Sequence, residues 1–388
     1  MKLRKIVFWL HLVAGLIAGS VVLIMSVTGV LLAFERQMIE WADRDMRVSP
    51  PEAGVRRLSI DVLIAGVSAA EPRATPSGLT LRSDPAAPVA ISLGRERTVF
   101  VNPYTGAILG EGSKRARTFF HWVTDVHRWL GAHGESRAAG RAVTGACNLA
   151  FLFLVVSGFY LWWPRKGAKN AGRTIVTPRL GLRGKARDFN WHNATGFWSA
   201  PVLFILVLTG VTLSYSWAGN LLYRLTGTEP PPSRATAGPR PGAARESIVI
   251  PPEIDRLRTI AGERVPDWKT ISVRFETSPS APLTFSIARS HRGRPDLRSQ
   301  LTLDSQTGEV VRWEPFSSFN LGRQLRSWAR FAHTGEAGGV LGQTIAALAS
   351  AGAAVLVWTG FALAWRRFRE RKRNGQPIRV SESVQVLN

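Results

Sequence analysis

The sequence predicts a membrane α-helical protein, with four transmembrane helices set as two parallel repeats and two α+β domains outside the bilayer. Three observations predict it. Residues 6–34, 142–163, 197–217 and 340–365 are almost free of charge, and each run is long enough to cross about 30 Å of hydrocarbon as a helix. Two stretches half a chain apart superimpose: His11 through Gly15 leads to Thr28, Gly29 and Val30, and His192 through Gly196 leads to Thr209, Gly210 and Val211. The step from histidine to threonine is seventeen residues in both. Finally, basic residues gather beside the apolar runs on what would be a single face, the positive-inside pattern.

Average composition conceals this plan. The chain has 388 residues, 45% of them hydrophobic, with a mean hydropathy of +0.01, values that suit a large soluble protein. The net charge of +23 is concentrated in three places. Lys2, Arg4 and Lys5 precede the first run; Arg165, Lys166, Lys169, Arg173, Arg179, Arg183, Lys185 and Arg187 lie between the second and third; Arg366, Arg367, Arg369, Arg371, Lys372 and Arg373 follow the fourth. The charge therefore sets topology beside the lipid bilayer. Nucleic-acid binding needs a basic face with stacking aromatics on a soluble domain, and no nucleic acid is expected. The only cysteine, Cys147, falls inside the second run, so the outer domains carry neither a disulfide nor a thiolate cluster. The first apolar run continues past Ser20 to Phe34, longer than the apolar part of a cleaved signal. An uncleaved anchor follows, and a multi-pass protein of the bacterial inner membrane with both termini cytoplasmic.

Taken in order, residues 1–35 form the tail and first span, and 36–139 a first periplasmic domain ending in an amphipathic helix. Residues 140–164 are the second span, 165–190 a basic cytoplasmic loop and 191–217 the third span. Residues 218–338 form a second periplasmic domain, again ending in a helix before the fourth span at 339–366, and 367–388 a cytoplasmic tail. The Pro/Gly-rich run from Glu229 to Gly242 reads as a flexible lead into the second domain. Both domains close on alternating β-formers around a turn glycine, Gly106 in one and Gly308 in the other, which is a hairpin signature. The stretches 119–130 and 321–333 then read as amphipathic helices. Gly140 to Ser157 and Gly342 to Thr359 are again equal steps. Two spans return the chain to its starting side, so both halves share one orientation about an axis along the membrane normal. Tryptophans including Trp129, Trp163, Trp191, Trp217, Trp328 and Trp365 form an interfacial belt at the span ends. Thr28, Ser157, Thr209 and Thr359 are the main polar residues within the spans, expected to bond back to their own helix or to pack beside glycine.

Four histidines occupy corresponding places: His11 and His192 near the cytoplasmic ends of spans one and three, His127 and His333 at the periplasmic approaches to spans two and four. A parallel twofold sets His11 opposite His192 and His127 opposite His333. Two facing imidazoles are the ligand set of a six-coordinate haem. Gly15 and Gly196, one turn after the inner histidines, would leave a flat slot for the porphyrin on the same helix face. Arg128 and Arg330, beside the outer pair, would meet propionates through charge-assisted hydrogen bonds; Lys185 and Arg187 would do so inside. Other readings stand beside this one: histidine as an interfacial anchor, a proton relay or other metal site, and the small residues as helix-packing contacts. Zinc lacks a third ligand of the usual type on either face. His121, His133 and His291 have no counterpart in the other half and read as surface or supporting groups.

The run from His127-Arg-Trp-Leu to Ser157-Gly-Phe-Tyr-Leu-Trp-Trp-Pro164 resembles the PepSY-associated transmembrane family of bacterial inner-membrane proteins. So do Asn190-Trp-His192 with Gly196, and His333-Thr-Gly-Glu336 leading to Gly342 and Gln343. The hairpins ending in Thr105-Gly106 and Thr307-Gly308 are similar to the family's PepSY-like periplasmic modules. The likeness extends from residue 3 to about residue 370. It implies an iron-regulated, four-span protein with two b-type haems that reduces ferric siderophores, with His11, His127, His192 and His333 as axial ligands. Asn102 stands where the turn often carries Asp, as Asp304 does in the second half. Some relatives carry a fused flavin reductase domain, whereas this chain ends after a short basic tail; the donor expected is a separate reductase, a quinol or a soluble reductant.

The expected function is a metal reductase. An electron enters at the His11/His192 haem, passes to the His127/His333 haem and reduces a ferric siderophore in the periplasm, releasing ferrous iron for uptake. The alternatives are a di-haem carrier serving a copper or quinone couple, a non-enzymatic regulator or assembly factor, and a transporter.

Overall fold

The computed structural model describes residues 2–50, 55–94, 97–163, 176–230, 248, 250–276, 278, 280–290 and 293–374. Of the sequence features above, Arg165, Lys166, Lys169, Arg173, most of the Pro/Gly-rich run, His291 and the tail beyond Asn374 lie outside these residues. The chain divides into a helical unit (Met1–Leu31, Asp125–Val211 and Ile345–Asn388) and a sheet unit (Leu32–Thr124 and Thr212–Thr344).

The helical unit is built on α1 (Lys2–Leu32), and the sheet unit begins with α2 (Glu35–Ala42) and α3 (Ile60–Ala70). Strands β1 (Pro76–Arg82), β2 (Val89–Leu93), β3 (Arg97–Val101) and β4 (Ile108–Gly110) lead to α4 (Lys114–Trp129), whose last turn joins the helical unit. Then come α5 (Arg137–Trp162), α6 (Gly184–Ser214), α7 (Ser216–Leu225) and α8 (Ile254–Arg264). Strands β5 (Thr270–Arg274), β6 (Leu283–Ala288), β7 (Arg298–Leu303) and β8 (Val310–Pro315) are followed by α9 (Leu321–His333) and α10 (Gly339–Asn374).

Helices α1, α5, α6 and α10 are each long and apolar enough to cross a membrane. They pack through small residues, as helices in lipid do. Leu203 and Leu206 of α6 meet Ala346, Ala349 and Ala353 of α10, with Phe151 and Val155 of α5 against the same cluster. A Cβ on Gly352 would stand 3.2 Å from Ser199, and one on Gly19 would fall 2.5 Å from the Phe361 ring. The buried Asn148 amide donates to the Val207 carbonyl at 3.1 Å, tying α5 to α6. Gly140 lets α5 lie against the end of α4, since a Cβ there would sit 2.2 Å from the Trp129 carbonyl oxygen. Ile17, Leu348 and Trp358 are more than two-thirds exposed, the surface that lipid covers. At one end Asp188, 1% exposed, accepts from Arg366 at 3.1 Å and from Arg187 at 2.8 Å. That pairing explains why α6 begins seven residues before the expected span: its polar first turns are held by ion pairs, which a hydropathy pattern does not register.

In the sheet unit the strand order is β4-β3-β2-β1-β5-β6-β7-β8, antiparallel throughout. The two extramembrane segments, expected as two α+β domains, thus contribute to one sheet. They meet at β1 and β5, where Leu79 opposes Val273. Alternate residues of all but the outermost strands enter one core with Leu63, Ile64 and Val67 of α3 and Ile254, Leu257 and Ala261 of α8. The hairpins form as expected, and both turns are built alike. Gly106 and Gly308 take φ of +74° and +72°, and the Asn102 and Asp304 side chains each accept two backbone N–H groups at 2.8–3.3 Å. The amide oxygen of Asn102 does here what the carboxylate of Asp304 does there.

Candidate functional site

Three of the four histidines lie in the helical unit, and each is held by the same device. His11 on α1 places Nδ1 2.8 Å from Ser157 Oγ on α5. His192 on α6 places Nδ1 2.9 Å from Thr359 Oγ1 on α10. His127, in the last turn of α4, places Nδ1 2.9 Å from Thr28 Oγ1 on α1. Each hydroxyl also bonds back along its own helix: Ser157 to the Phe153 carbonyl at 2.6 Å, Thr359 to Val355 and Thr28 to Ile24, both at 2.7 Å. Threonine and serine commonly make such bonds in membrane helices, where an unpaired hydroxyl is costly.

The residue after each hydroxyl is glycine, and in each case it makes room for the imidazole. A Cβ on Gly158 would stand 3.3 Å from His11 Cε1; on Gly360 or Gly29 it would stand 3.6 Å from Cε1 of His192 or His127. The contacts of α1 with α5 therefore recur between α6 and α10: His11 with Ser157 and Gly158, His192 with Thr359 and Gly360. Gly15 and Gly196 follow the same correspondence. A Cβ on Gly15 or Gly196 would stand 3.8 Å from Leu154 Cδ2 or 3.5 Å from Leu356 Cδ2, ordinary van der Waals distances.

His333 closes α9 in the sheet unit, where Asn320 caps the helix start by accepting the Arg323 N–H at 2.9 Å. Arg330, one turn earlier, lies over the Phe331 ring at 5.9 Å, and Arg298 of β7 lies over the same ring at 5.2 Å. Burial and the neighbouring Arg330 hold the Arg298 pKa below its ordinary value. Arg128 stacks on Trp129 at 4.7 Å, with Arg137 on that ring at 3.9 Å. Lys185 and Arg187 are engaged by Glu370 and Asp188. His133 sits 3.7 Å from the buried Asp125, and burial and then the charge of Glu336 raise the Glu35 pKa above its ordinary value, with His121 offsetting part of the shift.

A family model for the PepSY-associated TM region matches residues 8–367. The chain belongs to that family. No curated protein matches it. This PepSY-associated protein is accordingly a membrane protein, and the matched region takes in, among the described residues, α5, α6, most of α1 and α10, and the eight-stranded sheet.

Reasoning from sequence found the histidines and missed what holds them. The spans carry hydroxyl–glycine dyads at Thr28, Thr144, Ser157, Thr195, Thr209 and Thr359, and the hydroxyls of Thr28, Ser157 and Thr359 are the ones that meet an imidazole. Their bonds to their own helices were expected and are present; their role as imidazole partners was not anticipated.

Proposed function

We propose that this PepSY-associated protein is a di-haem reductase of the bacterial inner membrane that delivers electrons to a ferric siderophore in the periplasm. The observation that carries the reading is the inner pair, two imidazoles on different spans, each held at Nδ1 by a hydroxyl of another span. A hydroxyl whose hydrogen is spent on a carbonyl can only accept from Nδ1–H, which leaves the Nε2 lone pair of each ring to bind a metal. The residues present thus fit a bis-imidazole haem. His11 and His192 are its ligands in this reading, and His127 and His333 form the second pair on the sequence repeat alone.

When bound, haem iron ligated on both faces supplies a one-electron couple with no open coordination position. The chain's part is to fix the rings, to exclude water with the apolar spans and to dock the acceptor on the sheet unit. Reduction weakens the hold of hard oxygen chelators on iron, so ferrous ion is released. The positive-inside charge puts both termini in the cytoplasm, where a separate reductase, quinol or soluble reductant is the donor. The recurrence of α1–α5 contacts between α6 and α10 supports two parallel repeats.

The test is a reduced-minus-oxidised absorption spectrum of membranes holding the full chain. Sharp α-bands of b-type haem, together with reduction of a ferric siderophore by reconstituted protein, are expected. Absence of the bands removes this reading and leaves a periplasmic regulator or assembly factor in its place.

A further inference from the structure

The hydroxyl–glycine dyads carry an inference that rests on the haem reading and goes beyond it. We infer that Ser157, Thr359 and Thr28 are positioning residues that fix the tautomer and rotation of His11, His192 and His127, so that each ring offers Nε2 and remains a neutral ligand.

Several independent geometric facts lead there. In all three cases the contact is made by Nδ1 and never by Nε2, at 2.8–2.9 Å. In all three the hydroxyl hydrogen already serves a carbonyl one turn back, so the oxygen is an acceptor and the ring nitrogen the donor. In all three the next residue lacks a side chain where Cε1 approaches. Helix packing explains a glycine beside a hydroxyl, and back-bonding explains the hydroxyl. Neither explains why the imidazole arrives each time by the same nitrogen.

The chemistry of the acceptor matters as much as its position. Ligand histidines often donate their second N–H to a carboxylate, which draws the proton and makes the ring more basic. A hydroxyl is neutral and weaker. It satisfies an N–H that would be costly to leave unpaired in a span, yet leaves the imidazole short of imidazolate character. The bond to the carbonyl polarises the hydroxyl and strengthens it modestly as an acceptor. The device therefore gives orientation with little added basicity, which favours a couple that accepts electrons readily.

The experiment compares the full-length protein in detergent with Ser157→Ala, Thr359→Val and the hydroxyl-retaining Ser157→Thr and Thr359→Ser. Ring tautomers are read by nitrogen NMR of histidine-labelled, haem-depleted protein. Haem affinity, the EPR spectrum and the midpoint potential are read after haem is restored. The inference expects Nδ1–H in the parent and loss of that fixed tautomer in Ser157→Ala and Thr359→Val. It expects their haem affinity to fall about 10- to 100-fold, with altered g-values. At a fixed ambient potential their haem should be more reduced, because a ligand without its acceptor is less basic. The two conservative variants should restore all of these. Parent protein protonated at Nε2, or Ala and Val variants that match the parent in tautomer, affinity and EPR, overturns the inference while leaving haem binding intact. A parent with no haem bands at all overturns the proposed function itself, and is recognised before any variant is made.

Discussion

Asp61 meets Asp255 where two helices begin, the Asp61 backbone N–H donating to Asp255 Oδ2 at 3.4 Å. Each is the second residue of its helix, α3 or α8, and Asp255 Oδ2 also accepts the Ile60 N–H at 2.7 Å. The two helices that cover the sheet are thus joined at their starts through the Asp255 side chain. Burial and then the Asp255 charge raise the Asp61 pKa above its ordinary value. A carboxyl raised in the folded state contributes stability that is present at acid pH and lost as pH climbs through the folded pKa. Asp61→Asn removes the second charge beside Asp255. The variant should be more stable than the parent at neutral pH and lose that advantage below about pH 4, the ordinary range of the group. Thermal melts across pH check this; an unchanged melting temperature at pH 7 counts against the raised Asp61 pKa.

The two hairpin turns give the opposite sign. The N–H groups of Thr307 and Gln306 hold the Asp304 pKa below its usual value. Its stabilising effect is therefore complete above the unfolded pKa and fades as pH falls through the folded one. Asp304→Asn should keep the turn and remove that acid dependence, because Asn102 already performs the same role. Asn102→Ala should cost about 1 kcal/mol at every pH, from the loss of accepted hydrogen bonds. Denaturant melts at two pH values separate the two variants.

Gly78 tests the seam of the sheet. A Cβ there would meet the Val273 carbonyl oxygen at 2.6 Å, a backbone atom of the facing strand that cannot swing aside. Gly78→Ala should destabilise the protein by about 1–3 kcal/mol. Cross-linking of cysteines placed at 80 and 272, opposite each other in the register, should report weakened β1–β5 pairing. A neutral substitution speaks against this register.

Histidine replacements sort the spectrum. His11→Ala and His192→Ala should abolish the same component of the reduced-minus-oxidised spectrum, and His127→Ala a different one. If His11→Ala and His192→Ala remove different components, the inner pair does not share one iron.

Sequence reasoning located all four spans, both hairpins and both amphipathic helices because each is a local pattern. Apolar runs, alternating β-formers and a turn glycine all operate within a few residues. What it could not see was partnership. The alternation in β1 and in β5 says that each is a strand, but says nothing about pairing across nearly two hundred residues. The hydroxyls of Ser157, Thr359 and Thr28 were likewise visible only as polar residues in apolar helices. Their connection to His11, His192 and His127 depends on which spans are neighbours, a matter decided by packing.

The continuous sheet also orders the protein's biogenesis. Strand β1 is made and delivered long before β5, and two spans are synthesised between them. Until β5 arrives, β1 offers an unpaired row of N–H and C=O groups, and unpaired strand margins invite adhesion to other chains. The first half of the sheet therefore has to be sheltered during membrane insertion, and a chain arrested after its second span should be far more prone to clump than the finished one.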